Sequence, residues 1–331
     1  MKKKNGLLYG AIALVVLCVI YIAVGQYTDR SKEKKEQAKA DAKIYMTDIS
    51  DIASISFNNE ENELTFHKDD DTWKYDSDDL FPVNQTSLDT LAKTAGKLEA
   101  VRKLEDGDEL SAYGFNDPIR TVKVIAEDGT ETIILLGNQT EDGSYYAMIA
   151  GETTPYQISS SLYTETNYSL DDLMELEKFP AVAGTDITGV TITKGGESEH
   201  YVKKTLDEEA ETIAWYKDSA DSEDNKMADN SALNVLADSL SSLTVKDCVN
   251  YKVTDSELKE YGLDQPFAVI SYTYTKNGEE GTFTLNLGSL NEDGSSYFTK
   301  TDGTSNVNEI EKESIDKCLT VNEEAQETKT S

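Results

Sequence analysis

Apolar and polar residues alternate through much of the chain beyond residue 47, which predicts short strands with one buried face. The stretches DIASISF and ELTFH have this period, and DTWKY follows as a third short strand. The period changes in VNQTSLDTLAKTAGKLEAV, where apolar residues recur three and four positions apart, as on one face of a helix. This predicts a helix from Asn84 to Ala100, with Asn84 as its N-cap. The residues expected on its buried face are Leu88, Leu91, Ala92, Ala95 and Leu98.

The same succession of patterns returns between residues 186 and 319. DITGVTITK opens like DISDIASISF, and IAWYKD contains Trp215 as DTWKY contains Trp73. A second helix is predicted from Asp229 to Val245, with Asp229 as its N-cap. The offset between matching stretches grows from 138 to 151, in small steps that fall in predicted loops. Because order, spacing and residue type all agree, we predict an internal duplication.

Two nearly identical hexapeptides, YGFNDP at 113–118 and YGLDQP at 261–266, lie within the two copies. Gly114 and Gly262 suit the left-handed conformation that closes a helical turn, because a Cβ atom is strained there. Pro118 and the second-copy proline favour the extended backbone of the strands TVKVIAE and FAVISYTYT that follow. The hexapeptide therefore predicts a helix-to-strand corner with a structural role.

The acidic turns TEDGSY and NEDGSS have two interpretations. Asp-Gly between two strand-like stretches is typical of a hairpin. The alternative is calcium binding, but a helix-loop-helix calcium site needs acids at alternate positions and a Glu six residues after the Gly. Neither stretch has that spacing. Hairpins are therefore the leading prediction, and calcium is the one cofactor kept as an alternative.

The N-terminal residues predict a membrane anchor. Residues 6–25 are uncharged, and 20 helical residues span roughly 30 Å, the thickness of a bilayer core. The lysines of MKKKN place residues 1–5 in the cytoplasm by the positive-inside rule, so the body is expected outside. Residues 26–47, rich in Lys, Glu, Gln and Ala, predict a solvated juxtamembrane stalk. The alternative is a cleaved signal peptide, since Ala23 and Gly25 form a small-x-small pattern.

The charge of the chain argues against nucleic acid as a partner. The sequence has 31 basic and 63 acidic residues, a net charge of −32. Residues 1–43 contribute nine basic and four acidic residues, so the remainder has a net charge of −37. A polyanion gains no counterion-release energy on DNA or RNA. An acidic, soluble body fits an extracytoplasmic location with cations or basic surfaces as neighbours.

The residues that usually carry chemistry are sparse. His67 and His200 have neither a second His nor a Cys at metal-ligand spacing, so zinc is unsupported. Nucleophile elbows, phosphate loops and dinucleotide fingerprints are absent from the sequence, and we nominate no catalytic residue. Cys248 and Cys318 both belong to the second copy and lack counterparts in the first. They are a candidate disulfide, with two independent core cysteines as the alternative.

These patterns predict an α+β protein. It consists of two tandem homologous repeats, each a mainly antiparallel sheet with one principal helix, after an N-terminal transmembrane helix. Breaks at a proline and a glycine in LEKFPAVAGTD indicate a junction, and NEEAQETKTS has no apolar periodicity. The predicted divisions are a first repeat at 48–175, a linker at 176–185, a second repeat at 186–319 and a disordered tail at 320–331.

The order of these motifs resembles the bacterial family called domain of unknown function 4340. The resemblance covers nearly all of residues 48–319 and implies an anchored extracytoplasmic body. Members of the family often appear beside ABC-transporter components of the gliding-motility type, which implies a transport or envelope accessory role by association. The family offers no catalytic residues to carry over. The matching residues are Trp73, Tyr113, Gly114, Pro118, Gly137, Gly143 and Tyr146, and in the second copy Trp215, Tyr261, Gly262, Pro266, Gly288, Gly294 and Tyr297.

Three functions remain open from the sequence. The leading expectation is a non-enzymatic, membrane-anchored binding module that serves an ABC-type membrane complex or another envelope component. The second is an acidic structural protein that binds cations or the cell wall. The third is an envelope glycan hydrolase that uses two carboxylates, although the abundance of acids prevents naming a pair.

Overall fold

The computed structural model describes most of the chain beyond the predicted anchor and stalk. The predicted transmembrane segment, residues 6–25, lies outside the described residues. Within the described part, no helix is both long and apolar enough to cross a bilayer. The described residues are 43–59, 62–104, 109–207, 212–219, 221, 226–227 and 230–327.

The chain divides into two compact units. Unit 1 contains the residues up to Ser77 together with Asn84–Leu173. Unit 2 contains Asp78–Val83 together with the residues from Met174 onward. Both sheets are antiparallel and helices are few, as the strand-rich pattern predicts.

Unit 1 is built on a nine-stranded sheet with the order β1-β5-β9-β8-β7-β6-β2-β3-β4. Helix α1 packs against strands β2, β4 and β6, and the short helix α2 packs against α1. The elements are β1 (Ile44–Tyr45), β2 (Ile52–Asn58), β3 (Glu63–Asp69), β4 (Thr72–Tyr75), α1 (Gln85–Gly96), β5 (Glu99–Lys103), β6 (Arg120–Ala126), β7 (Glu131–Gln139), β8 (Tyr145–Ile149), β9 (Tyr156–Ile158) and α2 (Ser161–Glu165).

Unit 2 is built on an eight-stranded sheet with the order β12-β11-β10-β14-β15-β16-β17-β13. Helices α3 and α4 pack against each other and against this sheet. The elements are β10 (Ile187–Lys194), β11 (Glu197–Asp207), β12 (Thr212–Lys217), α3 (Ser231–Ser241), β13 (Asp247–Asn250), β14 (Ala268–Lys276), β15 (Glu279–Leu290), β16 (Ser296–Thr301), β17 (Val307–Glu311) and α4 (Lys312–Glu327).

The two strand orders are the same once each strand is matched to its counterpart, which confirms the duplication. Strands β2 to β9 of unit 1 correspond in sequence order to β10 to β17 of unit 2. Two features differ. Unit 1 adds the two-residue strand β1 beside β5, whereas unit 2 extends its last helix to 16 residues. The expectation of one principal helix per copy is therefore wrong for unit 2, where α4 is longer than α3.

The predicted helix faces are correct, but the predicted helix ends are too late. All five predicted apolar residues of the first helix are buried. Helix α1 ends at Gly96, where a Cβ atom would lie 2.8 Å from the carbonyl oxygen of Ile49. The carbonyl of Gly96 instead accepts a hydrogen bond from the backbone N–H of Ile49 at 2.7 Å, and the alternating residues 99–103 enter the sheet as β5.

The start of the first helix is as predicted, and that of the second differs. The side chain of Asn84 accepts a hydrogen bond from the backbone N–H of Ser87, which makes it a true N-cap. Helix α3 spans Ser231–Ser241, so it too is shorter than predicted. Its N-cap position is Asn230, while the predicted cap, Asp229, lies outside the described residues.

The predicted disordered tail is wrong for residues 320–327, which continue helix α4. Ile315, Cys318 and Leu319 near the start of this helix are buried in the core of unit 2. Once this first part is anchored by packing, the Glu, Ala and Gln residues that follow are good helix formers and extend it.

The strand pairings also correct the alignment of the first strands. An offset of 138 would match Ile187 to Ile49. In the structure Ile187 pairs with Tyr274 beside a bulge, as Ile52 pairs with Ala126 beside a bulge. Ile187 therefore takes the place of Ile52, because unit 1 has three more residues before its first long strand.

The predicted linker packs within unit 2. The ring of Phe179 lies 4.8 Å from the ring of Phe283, and Asn308 donates a hydrogen bond to Glu177 at 2.8 Å. Unit 2 also contains residues 78–83, which we call the strap. The hydroxyl of Tyr251 donates to the carboxylate of Asp78 at 2.7 Å, and Phe81 packs edge-on against the Tyr251 ring.

Candidate functional site

The hexapeptide of the first copy forms the predicted corner. Residues 110–113 make one 3₁₀ turn, and Gly114 closes it with a φ of 87°. The carbonyl of Tyr113 sits directly on Gly137 of β7, where a Cβ atom would lie only 2.0 Å from the Tyr113 oxygen. Strand β7 bulges at this point, between Leu136 and Gln139. Gly137 of β7 therefore provides the space in which the backbone of the corner packs against the strand.

The second copy repeats this arrangement. Gly262 closes the turn with a φ of 68°, and Gly288 would place a Cβ atom 2.1 Å from the carbonyl oxygen of Tyr261. The hydroxyl of Ser289 donates to the same oxygen at 3.1 Å. Pro118 and Pro266 each precede a strand by two residues, as predicted. The hexapeptide is structural in both copies.

Tyr146 and Tyr297, which end the family motif in the first and second copy, do not occupy equivalent positions in the two sheets. Tyr297 pairs across the sheet with Ile310, as Tyr145 rather than Tyr146 pairs with Ile158. The second hairpin is one residue longer, because Asn291 bonds to Ser296 where Thr140 bonds to Ser144. Tyr146, which packs at 4.7 Å on Tyr113, therefore corresponds to Phe298, which packs at 5.2 Å on Tyr261.

The two tryptophans clamp strand to helix in the same way. The indole of Trp73 donates to Asp89 of α1 at 2.9 Å, and Gln85 bonds to both backbone groups of Trp73. The indole of Trp215 donates to Asn234 of α3 at 2.9 Å. A lysine lies over each ring, which adds a cation–π contact. Trp73 and Trp215 therefore have a structural role in both copies.

The acidic turns are hairpins, as predicted. Gly143 and Gly294 have φ values of 84° and 73°, at the turns between β7 and β8 and between β15 and β16. Hydrogen bonds from Thr140, Ser144 and Gln157 lower the pKa of Asp142 to about 2. Among the described residues, no group of three or more His, Cys, Asp or Glu could hold a metal ion. Calcium binding stays an untested alternative.

The candidate disulfide is not formed in the structure, where Cys248 and Cys318 are both free, buried thiols. Cys318 lies on helix α4 within the core of unit 2, whereas Cys248 lies on β13, the edge strand of the sheet. Burial raises the pKa of Cys318 to about 12 and that of Cys248 to about 11. Both thiols are therefore protonated at neutral pH and are poor nucleophiles.

The site that the sequence did not predict is a groove in unit 1, between helices α1 and α2 and strand β5. Its volume is about 490 Å³. Three side chains of the lining come from helix α1 and three from the residues just after it. Two serines come from the segment before α2 and from its first position. The groove is lined by Tyr45, Thr90, Lys93, Thr94, Lys97, Leu98, Glu99, Ser159, Ser161 and Glu165.

One carboxyl group in this groove is incompletely satisfied. Glu165 accepts a hydrogen bond from the Thr94 hydroxyl through Oε1 at 3.0 Å. Its Oε2 is buried, and within the described part of the chain nothing hydrogen-bonds to it. Burial raises the pKa of Glu165, because removing the carboxylate from water disfavours its charged form.

The second carboxyl group of the groove, that of Glu99, is paired with a lysine, whereas Lys93 and Lys97 have fewer charged partners. Glu99 accepts from the ammonium of Lys43 at 2.5 Å. Lys97 approaches only Asp48, at 4.0 Å, and no described acid lies within ion-pair distance of Lys93. The groove therefore brings two exposed lysines together in a body with a large acidic excess.

Sequence reasoning could not find this groove. Its residues come from three segments that are far apart in the sequence, at Tyr45, 90–99 and 159–165, and each segment has the pattern of an ordinary helix or strand. The one available signal was the pair Lys93 and Lys97, spaced to share one helix face in an acidic chain.

The fold and the motif residues together define a duplicated scaffold whose signature residues form corners, clamps and turns. The family model described as Domain of unknown function (DUF4340) matches residues 73–227 and again residues 215–330. The chain therefore belongs to this family and contains its domain twice. Both matches begin at the clamp tryptophan, in the third long strand of each sheet. No curated protein and no solved structure gives a significant match to the chain.

Proposed function

We propose that this protein is a membrane-anchored, extracytoplasmic binding module that serves an ABC-type transport complex or another envelope complex, without catalysing a reaction itself. The observation that carries the proposal is that the motif residues have structural roles. The corner glycines, the clamp tryptophans and the hairpin glycines all have structural roles, so the family signature encodes a scaffold.

The sequence supplies the location in this proposal. The uncharged residues 6–25 follow three lysines, which favours an anchor with a cytoplasmic N-terminus. The acidic body, with a net charge of −37 beyond residue 43, is suited to binding basic surfaces of a membrane-protein partner. The ABC-type partner follows from the resemblance to the family and from no contact in the chain itself.

The test is a pull-down from membranes of the native host. The full-length chain with a C-terminal tag is solubilised in mild detergents, and co-purifying proteins are identified by mass spectrometry. A variant that lacks residues 1–43 separates binding by the body from proximity due to the anchor. A second control carries an unrelated transmembrane segment in place of residues 6–25.

Stoichiometric recovery of transporter subunits by the full-length chain and by the anchor-swapped control supports the proposal. Recovery that disappears on swapping the anchor assigns the interaction to the membrane segment. Recovery of no specific protein in several detergents contradicts the accessory role.

A further inference from the structure

The groove of unit 1 has an unusual charge for this protein. Of its two carboxyl groups, Glu99 is paired with Lys43, which lies outside the groove lining. Glu165 is shifted toward its neutral form by burial. Lys93 has no described acid within ion-pair distance, and Lys97 has one described ion pair, with Asp48 at 4.0 Å, which lies outside the groove lining. The two ammonium groups are therefore the positive charges of the lining. Such a pair attracts an anion, and the attraction is strongest at low ionic strength.

Hydroxyl groups surround the two lysines. Ser159 donates to Ser161 at 3.1 Å, and Thr90 lies on the same face of α1. Hydroxyl groups both donate and accept hydrogen bonds, so this lining suits a ligand with several hydroxyl groups of its own. The volume of about 490 Å³ falls within the range of sites for small molecules.

We propose that the groove between α1 and α2 binds a small anion that carries several hydroxyl groups, namely a sugar carboxylate or a sugar phosphate. Lys93 and Lys97 pair with the anionic group. The serine and threonine hydroxyls bond to the sugar hydroxyls, and Oε2 of Glu165 forms one further hydrogen bond with the ligand.

Unit 2 does not have this site. The clamp residues Asp89 and Asn234 fix the match between α1 and α3, so Lys93 and Thr94 correspond to Asp238 and Ser239. An acid replaces the first lysine, and Ser239 is buried. Each chain therefore binds one ligand, although the domain occurs twice.

The test is calorimetric titration of the full-length chain in detergent at low salt. The probes are glucuronate and glucose 6-phosphate, which separate the two anionic classes, and glucose as the neutral control. We expect one site per chain for at least one anionic probe, weakening as salt is added, and at least about tenfold weaker binding of glucose.

Two variants assign the binding to the groove. The double variant Lys93→Gln and Lys97→Gln is expected to lower the affinity at least about tenfold, because each lysine makes a charge-assisted bond. The double variant Lys259→Gln and Lys300→Gln in unit 2 removes the same charge and is expected to bind like the unaltered chain. Circular dichroism checks that both variants fold.

Binding of neither anion at millimolar concentration overturns the proposal, and so does equal binding by the two double variants. The inference goes beyond the accessory role and does not depend on it. Failure of the pull-down leaves this titration unaffected, and failure of the titration leaves the pull-down unaffected.

Discussion

The two units have separate sheets with the same strand order, and they differ in their last helix. Helix α2 of unit 1 has five residues, whereas helix α4 of unit 2 has 16. Each begins with a fully buried side chain, Leu162 or Ile315. Three residues later, unit 1 has Glu165 beside the groove, and unit 2 has Cys318 in the core.

This difference shows which part of a duplicated domain is free to diverge. The strand order, the packing of the corner against a glycine of the neighbouring strand and the tryptophan clamp are the same in both copies. The corner depends on a backbone contact that only glycine permits, and the clamp depends on an indole N–H that only tryptophan supplies. The last helix of each unit is held largely by apolar burial near its start, at Leu162 or Ile315, so its length and its polar residues can change without altering the sheet.

The largest effect is expected from Gly137→Ala and Gly288→Ala, which test the shared corner. A Cβ atom at either position would overlap a backbone carbonyl that cannot move without breaking the turn. We expect a loss of about 3 kcal/mol or more in the free energy of unfolding of the affected unit. The chain has two tryptophans, one in each unit, so urea unfolding followed by fluorescence in Trp215→Phe or Trp73→Phe backgrounds reports each unit separately.

The control for these variants is Gly129→Ala, where no atom lies within 4 Å of the added Cβ and only the left-handed φ of 83° is unfavourable. It is expected to cost about 1 kcal/mol. If one of the two corner variants is as mild as this control, the corners are not equivalent and the comparison fails.

A smaller effect is expected from Cys318→Ser, which tests the core position that unit 1 fills with an acid. The serine hydroxyl would be buried among apolar side chains, and we expect a loss of about 1 to 3 kcal/mol. Cys248→Ser, at the sheet edge and slightly exposed, should cost less.

The same cysteines allow a direct test of the predicted disulfide. We expect alkylation without reductant to be slow in the folded chain at pH 8, since the thiol pKa values are about 11 and about 12. In urea without reductant both Cys248 and Cys318 should react. If both resist alkylation in urea and react only after reduction, the two are bonded.

The smallest effect is expected from Glu165→Gln, measured as stability against pH. Burial raises the pKa of Glu165 in the folded chain above its ordinary value of 4.5, so the folded state binds a proton more tightly than the unfolded state. The contribution of Glu165 to the stability of unit 1 is therefore fully present below pH 4.5 and is lost as the pH rises through the raised pKa. The variant should remove this fall in stability, which we expect to be below about 1 kcal/mol.

Glu141→Gln, at an exposed hairpin position, is the matched control and should keep the pH dependence of the unaltered chain. A fall that persists unchanged in Glu165→Gln would assign it to another group. A Trp73 fluorescence signal in the Trp215→Phe background restricts the measurement to unit 1.

Short-range sequence patterns predicted most of the fold. They failed where contacts between residues distant in the sequence determine the structure. The alternating strands, the left-handed Gly114 and the Asn84 cap all follow from a few neighbouring residues. The end of α1 at Gly96 could not be predicted, because it depends on the carbonyl of Ile49. The one-residue shift at Tyr297 was hidden because both hairpins contain the same EDGS letters.

The candidate site was less predictable than the fold. The residues singled out by the repeat were structural, since whatever recurs in both copies maintains what both copies share. The groove instead depends on residues that differ between the copies, Lys93 against Asp238 and Glu165 against Cys318. A comparison of repeats therefore finds the scaffold by likeness and a candidate site by difference.

The strap has a consequence for how this chain is synthesised. Residues 78–83 are made early, yet Tyr251, which holds Asp78 and Phe81, leaves the ribosome only after some 170 further residues. All strands of the first sheet can pair before then, whereas the strap cannot form its contacts with Tyr251 until that residue is synthesised. A fragment that stops at Leu173 would keep the complete first sheet but would lack Tyr251, which Asp78 and Phe81 both contact, so the boundary between the two copies is not a clean cutting point.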